Sequence, residues 1–530
     1  MSESRSARGG NWILLFLLIL LSMVATPGVV TAQTVVRGPY LQLGTEDSMI
    51  VRWRTSIATD SRVVLGRAPG AAALTVTDPT SVVDHEILVS GLTPATAYFY
   101  QVGTTTQLLA GGDEQHVFRT APAVGATSPV RVWATGDAGT GTPDQVAVRD
   151  AYYSYAGLGS TDVWLMLGDN AYPSGFDAIY QLFLFDIYEE LLRTTPFWTA
   201  LGNHDTGDLF DLCTSPTAAE AGGVPSGTEA YYSFNHANIH FVCLNSMSLD
   251  LTPTGPMLQW LEADLASHLQ EWTIAYWHHP PYTKGSHDSD DVTDSGGRMR
   301  DMRENALPIL EAGGVDVVLS GHSHVYERSF LISGHHDVST TFDPLSMLLD
   351  GGDGHPNGTG AYQKPALSGA SQGAVFVVMG SSGKVNSGSL NHPAMFHSVP
   401  LLGSLVLDIE GSTLSGRMIG ADALCADVFQ IVKGGPSPDF EFQRGDVNGS
   451  GTLNIADAVS LLGVLFGDGC VLDCQDAADV NDSGAVNIAD PIALLNYLFQ
   501  QGAPPAPPTF VCGPDPTADA LRCSAESGCP

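Results

Sequence analysis

Residues 321–328 have the sequence Gly-His-Ser-His-Val-Tyr-Glu-Arg and come just after an apolar run, Val315 to Leu319. A short β-branched run of this kind predicts a buried strand, and a glycine lets the backbone turn sharply where the strand ends. The stretch therefore places two imidazoles, those of His322 and His324, at the carboxyl end of a strand. Because imidazole is a common metal ligand, we expect a metal site at that edge of the sheet.

Four motifs further upstream share this arrangement. Each follows an apolar run that predicts a strand, at residues 130–135, 163–167, 197–201 and 273–277. A single Gly-Asp pair usually marks only a turn, but five turns after five such strands seldom all carry ligand side chains by accident. Ligand sites in open α/β sheets form outside the carboxyl ends of strands, so we expect the candidates to converge. The candidate metal ligands are Asp137, Asp169, Tyr172, Asn203, His278, His322 and His324.

The chemistry of these side chains narrows the class of metal. Carboxylate, phenol, amide and imidazole groups, with no thiolate among them, favour hard or borderline ions such as iron, manganese or zinc. Two such ions bridged by one carboxylate, about 3.5 to 4 Å apart, can activate water and hold both oxygens of an in-line displacement. Hydrolysis of a phosphate ester is the reaction that suits such a site best.

Residues 37 to 420 carry all five motifs and resemble the purple acid phosphatases, a branch of the calcineurin-like metallophosphoesterases. The generic superfamily pattern has a histidine two residues after the first aspartate, where this chain has Gly139. In purple acid phosphatases a tyrosine three residues after the second aspartate replaces that ligand, and this chain has Tyr172 there. A phenolate suits a ferric ion, and its charge-transfer band gives the family its colour.

The resemblance implies a role for each candidate ligand, with Asp169 bridging two ions. Fe(III) would be held by Asp137, Asp169, Tyr172 and His324, and a divalent iron, zinc or manganese ion by Asp169, Asn203, His278 and His322.

Three further histidines lie in or near the motifs. By the same resemblance, His204 would contact the substrate phosphate and help to protonate the leaving group. His287, the second candidate catalytic residue, matches an outer histidine of the family more loosely, because its loop is short and acidic. For His279 and His287 the alternative is an ordinary solvated loop histidine.

The implied activity is that of an acid phosphatase-like phosphoric ester hydrolase, in which a metal-activated hydroxide attacks small phosphate monoesters. One alternative keeps the same two-metal site but acts on phosphodiesters or nucleotides. Another is a non-catalytic extracellular binding protein, against which the complete ligand set argues. The formal net charge of −35 excludes nucleic acid as a bulk partner, because its phosphates would be repelled.

The N-terminus predicts a secretory signal peptide at residues 1–32. Arg5 and Arg8 precede an apolar run, and small residues at 30–32 precede a cleavage position at Gln33. We therefore expect a secreted chain, extracellular or periplasmic, with no membrane segment after cleavage. The eight cysteines, an even number, are consistent with an oxidising compartment, although their pairing does not follow from the sequence.

The rest of the 530-residue chain predicts several domains. Residues 33–122 show strand-like alternation, and GLTPATAYFYQV at 91–102 is similar to fibronectin type III domains. This predicts an all-β sandwich ahead of an α/β catalytic domain at 128–432, itself a β-sandwich flanked by helices. Residues 333–372, rich in Gly, Asp, His and Pro, predict a long irregular surface loop near the active site.

After a Gly/Pro break at 434–438, a loop-and-helix unit occurs twice and resembles a dockerin type I module at 440–502. Oxygen side chains at positions 1, 3, 5 and 12, with glycine at position 6, match a calcium loop of the EF-hand kind. A purely structural Asx-turn repeat is the alternative. The module predicts bound Ca²⁺ and a cohesin-like or surface partner, followed by an extended Pro/Cys-rich tail at 503–530. The predicted calcium ligands are Asp446, Asn448, Ser450, Asp457, Asp479, Asn481, Ser483 and Asp490.

Overall fold

The computed structural model describes residues 33–517, 521 and 523, except 158, 357, 367, 435–440, 467–471 and 473. The predicted signal peptide and most of the predicted break at 434–438 lie outside the described residues. Within the described part, no helix is both long enough and apolar enough to cross a bilayer.

The N-terminal domain is built on a single antiparallel sheet of six strands around the buried Trp53 and Tyr100. The long strand β2 pairs with β1, β3 and β4, and β4 also pairs with β5 and β6. The prediction of an all-β N-terminal domain is confirmed. The strands are β1 Val35–Gln42, β2 Ser48–Gly66, β3 Leu74–Ser90, β4 Ala97–Gly103, β5 Leu108–Gly111 and β6 Val117–Arg119.

The catalytic domain contains two seven-stranded sheets, with strand orders β17-β22-β21-β20-β7-β8-β9 and β10-β11-β12-β13-β18-β14-β19. A separate pair, β15 and β16, lies outside both sheets. The strands are β7 Val130–Thr135, β8 Val163–Met166, β9 Phe197–Thr199, β10 Tyr232–His236, β11 Ile239–Cys243, β12 Trp272–Trp277, β13 Val317–Ser320, β14 Tyr326–Ser329, β15 Leu331–Ile332, β16 Leu348–Asp350, β17 Tyr362–Lys364, β18 Val375–Met379, β19 Met395–Val399, β20 Gly403–Glu410, β21 Thr413–Gly420 and β22 Cys425–Lys433.

Helices follow several of the parallel strands, and many of them are a single turn. The catalytic domain has α1 Pro143–Ala156, α2 Asp177–Tyr180, α3 Glu189–Leu192, α4 Leu209–Leu212, α5 Pro256–Leu265, α6 Arg298–Asp301, α7 Leu307–Ala312 and α8 Pro344–Met347. The C-terminal region has α9 Ile455–Phe466, α10 Gln475–Ala478 and α11 Ala489–Gln500.

All five predicted strands exist, and they are divided between the two sheets, consistent with the predicted β-sandwich. β7, β8 and β9 run parallel in the first sheet, whereas β12 and β13 run parallel in the second. One hydrophobic core includes residues of both sheets, among them Val132, Leu165, Ile274 and Val377. The apolar runs are therefore buried on both faces. The predicted α/β architecture is confirmed.

The N-terminal domain contacts the segment that carries several of the predicted ligands. The phenol of Tyr40 donates to the carbonyl of Leu212, and that of Tyr100 to the carbonyl of Arg193, each at 2.9 Å. The guanidinium of Arg37 lies 2.5 Å from Asp177 Oδ1. The domain thus packs against the helices that follow Tyr172 and Asn203.

The prediction that residues 333–372 form a long irregular surface loop is wrong in part. The segment contains α8, β16 and β17, and β17 pairs with β22 at the edge of the first large sheet. His335, which the sequence places in this loop, is fully buried and stacks on Tyr282 at 5.1 Å. The Gly-rich composition gives no strand signal in the sequence, because these short strands are stabilised by tertiary packing rather than by local propensity.

In the C-terminal region, α9 and α11 pack together around Leu461 and Leu494. A disulfide joins Cys474 to Cys523, and Cys425 and Cys512 are also disulfide-bonded. Cys213 and Cys243 are free and buried. The amide of Gln475 donates to the carbonyl of Pro356 at 2.9 Å, so the region contacts the catalytic domain.

Candidate metal centre

The seven predicted ligands lie together at the edge where the parallel strands of both sheets end. Sharp turns direct them there. Asp137, Asp169 and His322 all have positive φ angles, of 56°, 53° and 66°. Side chains other than glycine seldom adopt this left-handed conformation, and such strain concentrates at functional sites. The three turns support a site that the surrounding fold holds in place.

One half of the centre is organised by Tyr172. Its phenol lies 2.8 Å from Asp137 Oδ1 and 2.9 Å from Asp169 Oδ2, so it bridges two buried carboxylates. The backbone N–H of His322 donates to Asp137 Oδ2 at 2.6 Å. His324 Nε2 lies 3.4 Å from Asp137 Oδ1. These four side chains are the set that the resemblance assigns to Fe(III).

The other half is organised by His278. Its Nδ1 donates to the carbonyl of Leu167 at 3.0 Å, which leaves Nε2 as the nitrogen that can bind a metal ion. That Nε2 lies 3.0 Å from Asn203 Oδ1, 3.5 Å from Asp169 Oδ1 and 3.2 Å from His322 Nδ1. Asp169 therefore touches both halves, as a bridging carboxylate must.

This arrangement fits a pair of cations. Nε2 of His278 and the oxygen of Asn203 face each other, 3.0 Å apart. A cation that takes the place of the Nε2 proton would be coordinated by both atoms. In the half of the centre that contains Tyr172, Nδ1 of His324 is buried and has no hydrogen-bond partner among the described residues. The donors are oxygen and nitrogen atoms only, which is the chemistry of hard and borderline ions.

The carboxylates of the site interact strongly with its histidines. Burial opposes ionisation of Asp169, yet the positive charge of the adjacent His278 imidazolium holds the pKa of that carboxyl below its usual range. Burial and the carboxylates of Asp137 and Asp169 raise the pKa of the Tyr172 phenol far above its ordinary value. Burial and neighbouring imidazoles lower the pKa of His322. Burial opposes the charged form of His278, but the carboxylates of Asp169 and Asp137 raise its pKa to about 9, so that without a metal ion this ring is an imidazolium. Bound metal ions would take the place of the protons on His278 and Tyr172.

Gly139 and Gly202 occupy positions in the motifs where no larger side chain would fit. A Cβ on Gly139 would lie 2.0 Å from the carbonyl oxygen of Asn170, so no side chain fits where the generic pattern has histidine. A Cβ on Gly202 would lie 2.3 Å from Asp169 Oδ1, so only glycine lets this loop approach the bridging carboxylate.

The three further histidines all lie at the centre. His204 is half-buried, and its Nδ1 donates to the carbonyl of Pro173 at 2.7 Å. His287 stacks on His322 at 3.9 Å, and its Nδ1 lies 2.9 Å from Asp294 Oδ1. His279 is 1% exposed, so the solvated alternative is wrong for it. Its Nδ1 lies 2.8 Å from the hydroxyl of Ser246, within the protein interior.

Sequence reasoning missed Asp205. This aspartate stands two residues after Asn203 in the same motif, a signal that was present in the sequence. Its buried carboxylate accepts hydrogen bonds from the backbone N–H groups of Asn170 and Gly202, and burial raises its pKa to about 7. Asp205 therefore ties together the loops of two ligands.

Ser295 and Lys384 were also missed. The hydroxyl of Ser295 lies 2.6 Å from His322 Nε2 and orients that ring. The ammonium of Lys384 lies 3.9 Å from the centre of the Tyr172 ring. Neither belongs to a recognised motif, so only the folded chain brings them to the site.

Comparison with protein families covers the first two domains. Residues 130–326 match the family described as calcineurin-like phosphoesterase. Residues 36–120 match the family described as purple acid phosphatase, N-terminal domain.

Individual proteins similar in sequence to this chain are also purple acid phosphatases. Purple acid phosphatase 15 of Arabidopsis thaliana is 27% identical over 283 residues, covering 47% of this chain and 50% of that protein. Probable purple acid phosphatase 20 of the same plant is 24% identical over 311 residues, covering 54% of this chain and 68% of that protein. The chain thus spans about half to two thirds of the length of these relatives.

Among solved structures, a purple acid phosphatase isolated from yellow lupin (Lupinus luteus) seeds has a TM-score of 0.57 at 18% identity. The similarity covers 75% of each chain and shows a shared fold. Two adjoining segments of the chain are therefore similar to known families, residues 36–120 to the N-terminal domain of purple acid phosphatases and residues 130–326 to calcineurin-like phosphoesterases.

Proposed function

We propose that the protein is a secreted phosphatase that hydrolyses phosphate monoesters at a centre of two metal ions. One observation carries the proposal. Asp169 contacts both a Tyr172–Asp137 pair and the His278 imidazole, so a single carboxylate joins two complete ligand sets. The match to calcineurin-like phosphoesterases over residues 130–326 supports a metal-dependent phosphoesterase.

The two ligand sets suit different ions. Asp137, Asp169, Tyr172 and His324 offer three oxygen donors that can each be anionic, which suits Fe(III). Asp169, Asn203, His278 and His322 offer one carboxylate and three neutral groups, which suits divalent iron, zinc or manganese. When bound, such a pair of ions supplies an activated water and charge stabilisation for an in-line displacement.

The chain's own residues would then position the ester and move protons. Nδ1 of His204 is held by the carbonyl of Pro173, so Nε2 is the nitrogen left to face the substrate. A proton on this Nε2 can be donated to the leaving-group oxygen. His287, held by Asp294, would support the outer side of His322 rather than take part in proton transfer.

Action on phosphodiesters or nucleotides is the second candidate, because the same ligand sets would serve it. A non-catalytic role is disfavoured, since the side chains of all seven predicted ligands lie close together.

The C-terminal region is proposed to bind calcium through two equivalent loops. In the first loop, Asp446 accepts from the backbone N–H groups of Ser450 and Gly451, and Asp457 from that of Asn448. In the second, Asp479 and Asp490 make the same contacts with Ser483, Gly484 and Asn481. Carboxylates gathered in this way, with Asn448 or Asn481 beside them, are typical of calcium loops.

The dockerin-like role, with a cohesin-like or surface partner, remains a proposal that rests on this repeat. The fibronectin type III assignment of the N-terminal domain, and secretion through residues 1–32, likewise remain proposals from the sequence.

Two substitutions test the phosphatase function. Asp169→Asn removes the bridging carboxylate and should abolish both metal retention and nearly all hydrolysis of 4-nitrophenyl phosphate. His204→Ala should keep both metals but slow turnover by about 10² to 10⁴, the range for one general acid or base. Loss of metal from the His204→Ala protein would contradict the role assigned to His204.

A further inference from the structure

A sixth strand end contributes to the metal centre. β18 runs parallel to β13, so its carboxyl end lies at the same edge as His322. It is followed by Gly380-Ser381-Ser382-Gly383-Lys384, a segment without any predicted ligand. What this segment adds to the centre is a cation.

The segment is held on both sides by the metal-binding motifs. The backbone N–H of Ser382 donates to the carbonyl of Gly136, and the hydroxyl of Thr140 donates to the carbonyl of Gly383, both at 3.1 Å. On the other side of Lys384, the backbone N–H of Asn386 donates to the carbonyl of His324 at 2.9 Å. The backbone of Lys384 is therefore fixed between the first and the last motif.

The side chain of Lys384 points to the centre. Its ammonium lies 3.9 Å from the centre of the Tyr172 ring, whose hydroxyl bridges Asp137 and Asp169. The His204 ring lies against the same tyrosine, with ring centres 4.5 Å apart. Lys384 and His204 thus both border the position at which an ester phosphate would meet the metals.

Within the part of the chain that the structure describes, Lys384 differs from the other three lysines in lacking a carboxylate partner. Lys284 pairs with Asp288 and Asp290, while Lys364 and Lys433 are buried against Asp316. No carboxylate lies within ion-pairing distance of Lys384 among the described residues, and its side chain is half-exposed. In a chain of net charge −35, an unpaired ammonium at the mouth of an anion site needs an explanation.

We propose that Lys384 binds the substrate phosphate and sets a preference for dianionic monoesters over monoanionic diesters. This inference rests on the proposed phosphatase function. A mobile ammonium on a four-carbon stem can follow a phosphate oxygen, and its attraction grows with the negative charge on that phosphate. The two metals would hold the oxygens near the reacting phosphorus, and Lys384 would contact an outer oxygen that only a monoester leaves unesterified.

The test compares 4-nitrophenyl phosphate with bis(4-nitrophenyl) phosphate, two substrates with the same leaving group. Lys384→Gln should raise KM for the monoester about tenfold, equivalent to about 1.4 kcal/mol, and change that for the diester by less than about threefold. Lys384→Arg should recover most of the loss. Arg119→Gln, which removes an equal charge from an exposed position in the N-terminal domain, serves as the control.

Equal effects on the two substrates, or none, would overturn the proposal. So would loss of metal or of the visible absorption band in Lys384→Gln, because Lys384 would then act by supporting Tyr172. Inorganic phosphate provides a measurement independent of turnover, by calorimetry on the metal-loaded protein. Lys384→Gln should weaken phosphate binding about tenfold even if the wild-type protein hydrolyses neither ester, and unchanged phosphate affinity would refute the contact.

Discussion

Asp205→Asn should weaken both the fold and the metal centre, although Asp205 is not a predicted ligand. The Asp205 carboxylate is 3% exposed and accepts four hydrogen bonds. The donors are the backbone N–H groups of Asn170 and Gly202, the side-chain amide of Asn170 and the phenol of Tyr180, at 2.7 to 2.9 Å. Asn170 adjoins Asp169, and Gly202 adjoins Asn203. One carboxylate therefore fixes the backbone at two metal ligands.

The expected loss of stability follows from the number of hydrogen-bond acceptor atoms that the substitution removes. Asparagine has one side-chain oxygen where aspartate has two, so two of the four donors would face an NH₂ group instead. Each buried donor left without an acceptor costs about 1 to 3 kcal/mol, so the free energy of unfolding should fall by about 2 to 6 kcal/mol. A displacement of the ligand loops by about 1 Å should also lower turnover about 10²-fold.

Denaturant unfolding and steady-state kinetics on the metal-loaded proteins would measure both effects. Asp264→Asn is a matched control, because Asp264 is fully buried and accepts from Val224 N–H and the Ser233 hydroxyl, away from the five motifs. The control should lose stability but keep its turnover under conditions in which it is folded. An Asp205→Asn protein with wild-type midpoint and turnover would show that Asp205 does not hold the two ligand loops in place.

Three further outcomes are expected. Tyr172→Phe should bleach the colour of the iron-loaded protein, and an unchanged visible band would remove Tyr172 from the metal site. Burial raises the pKa of Glu327 to about 7 from its ordinary 4.5, so the folded protein holds a proton that the unfolded chain releases between these pH values. Stability should therefore fall as pH rises through this window, and Glu327→Gln, which cannot ionise, should gain about 3 kcal/mol over wild type at pH 8 but nothing at pH 4. A constant difference would contradict this. Calorimetry on the full chain should find two calcium sites, lost with Asp446→Ala and Asp479→Ala respectively, while hydrolysis persists; calcium binding that survives both changes would contradict the assignment.

Most residues of the metal centre could be predicted because each ligand lies close in sequence to the strand and turn that position it. A buried strand, a turn and a ligand occupy a few consecutive residues, as in Gly168-Asp169, and five such units specify one site. Which of the two sheets each strand joins could not be predicted from these units, since β7 and β12 have the same apolar character. Only long-range pairing, such as β20 between β7 and β21, assigns each strand to its sheet.

The residues that sequence reasoning missed act through tertiary contacts. Lys384 follows a strand with no metal ligand, and its role depends on where the chain crosses Tyr172. His335 has the composition of a surface loop around it, yet the packing of Tyr282 buries it. Patterns of spacing reveal ligands that share a motif, whereas groups that support those ligands from other parts of the chain become visible only in the fold.

If one bridging carboxylate joins two ligand sets into a hydrolytic centre, both metals and hydrolysis depend on Asp169. Metal analysis of the purified protein, combined with assays on phosphate mono- and diesters, measures this dependence. We expect two metal ions per chain at the centre, one of them iron, with monoester hydrolysis that disappears together with both ions in Asp169→Asn. A protein that holds a single ion there, or that retains both ions and its activity without the Asp169 carboxylate, would show that no such bridged centre exists.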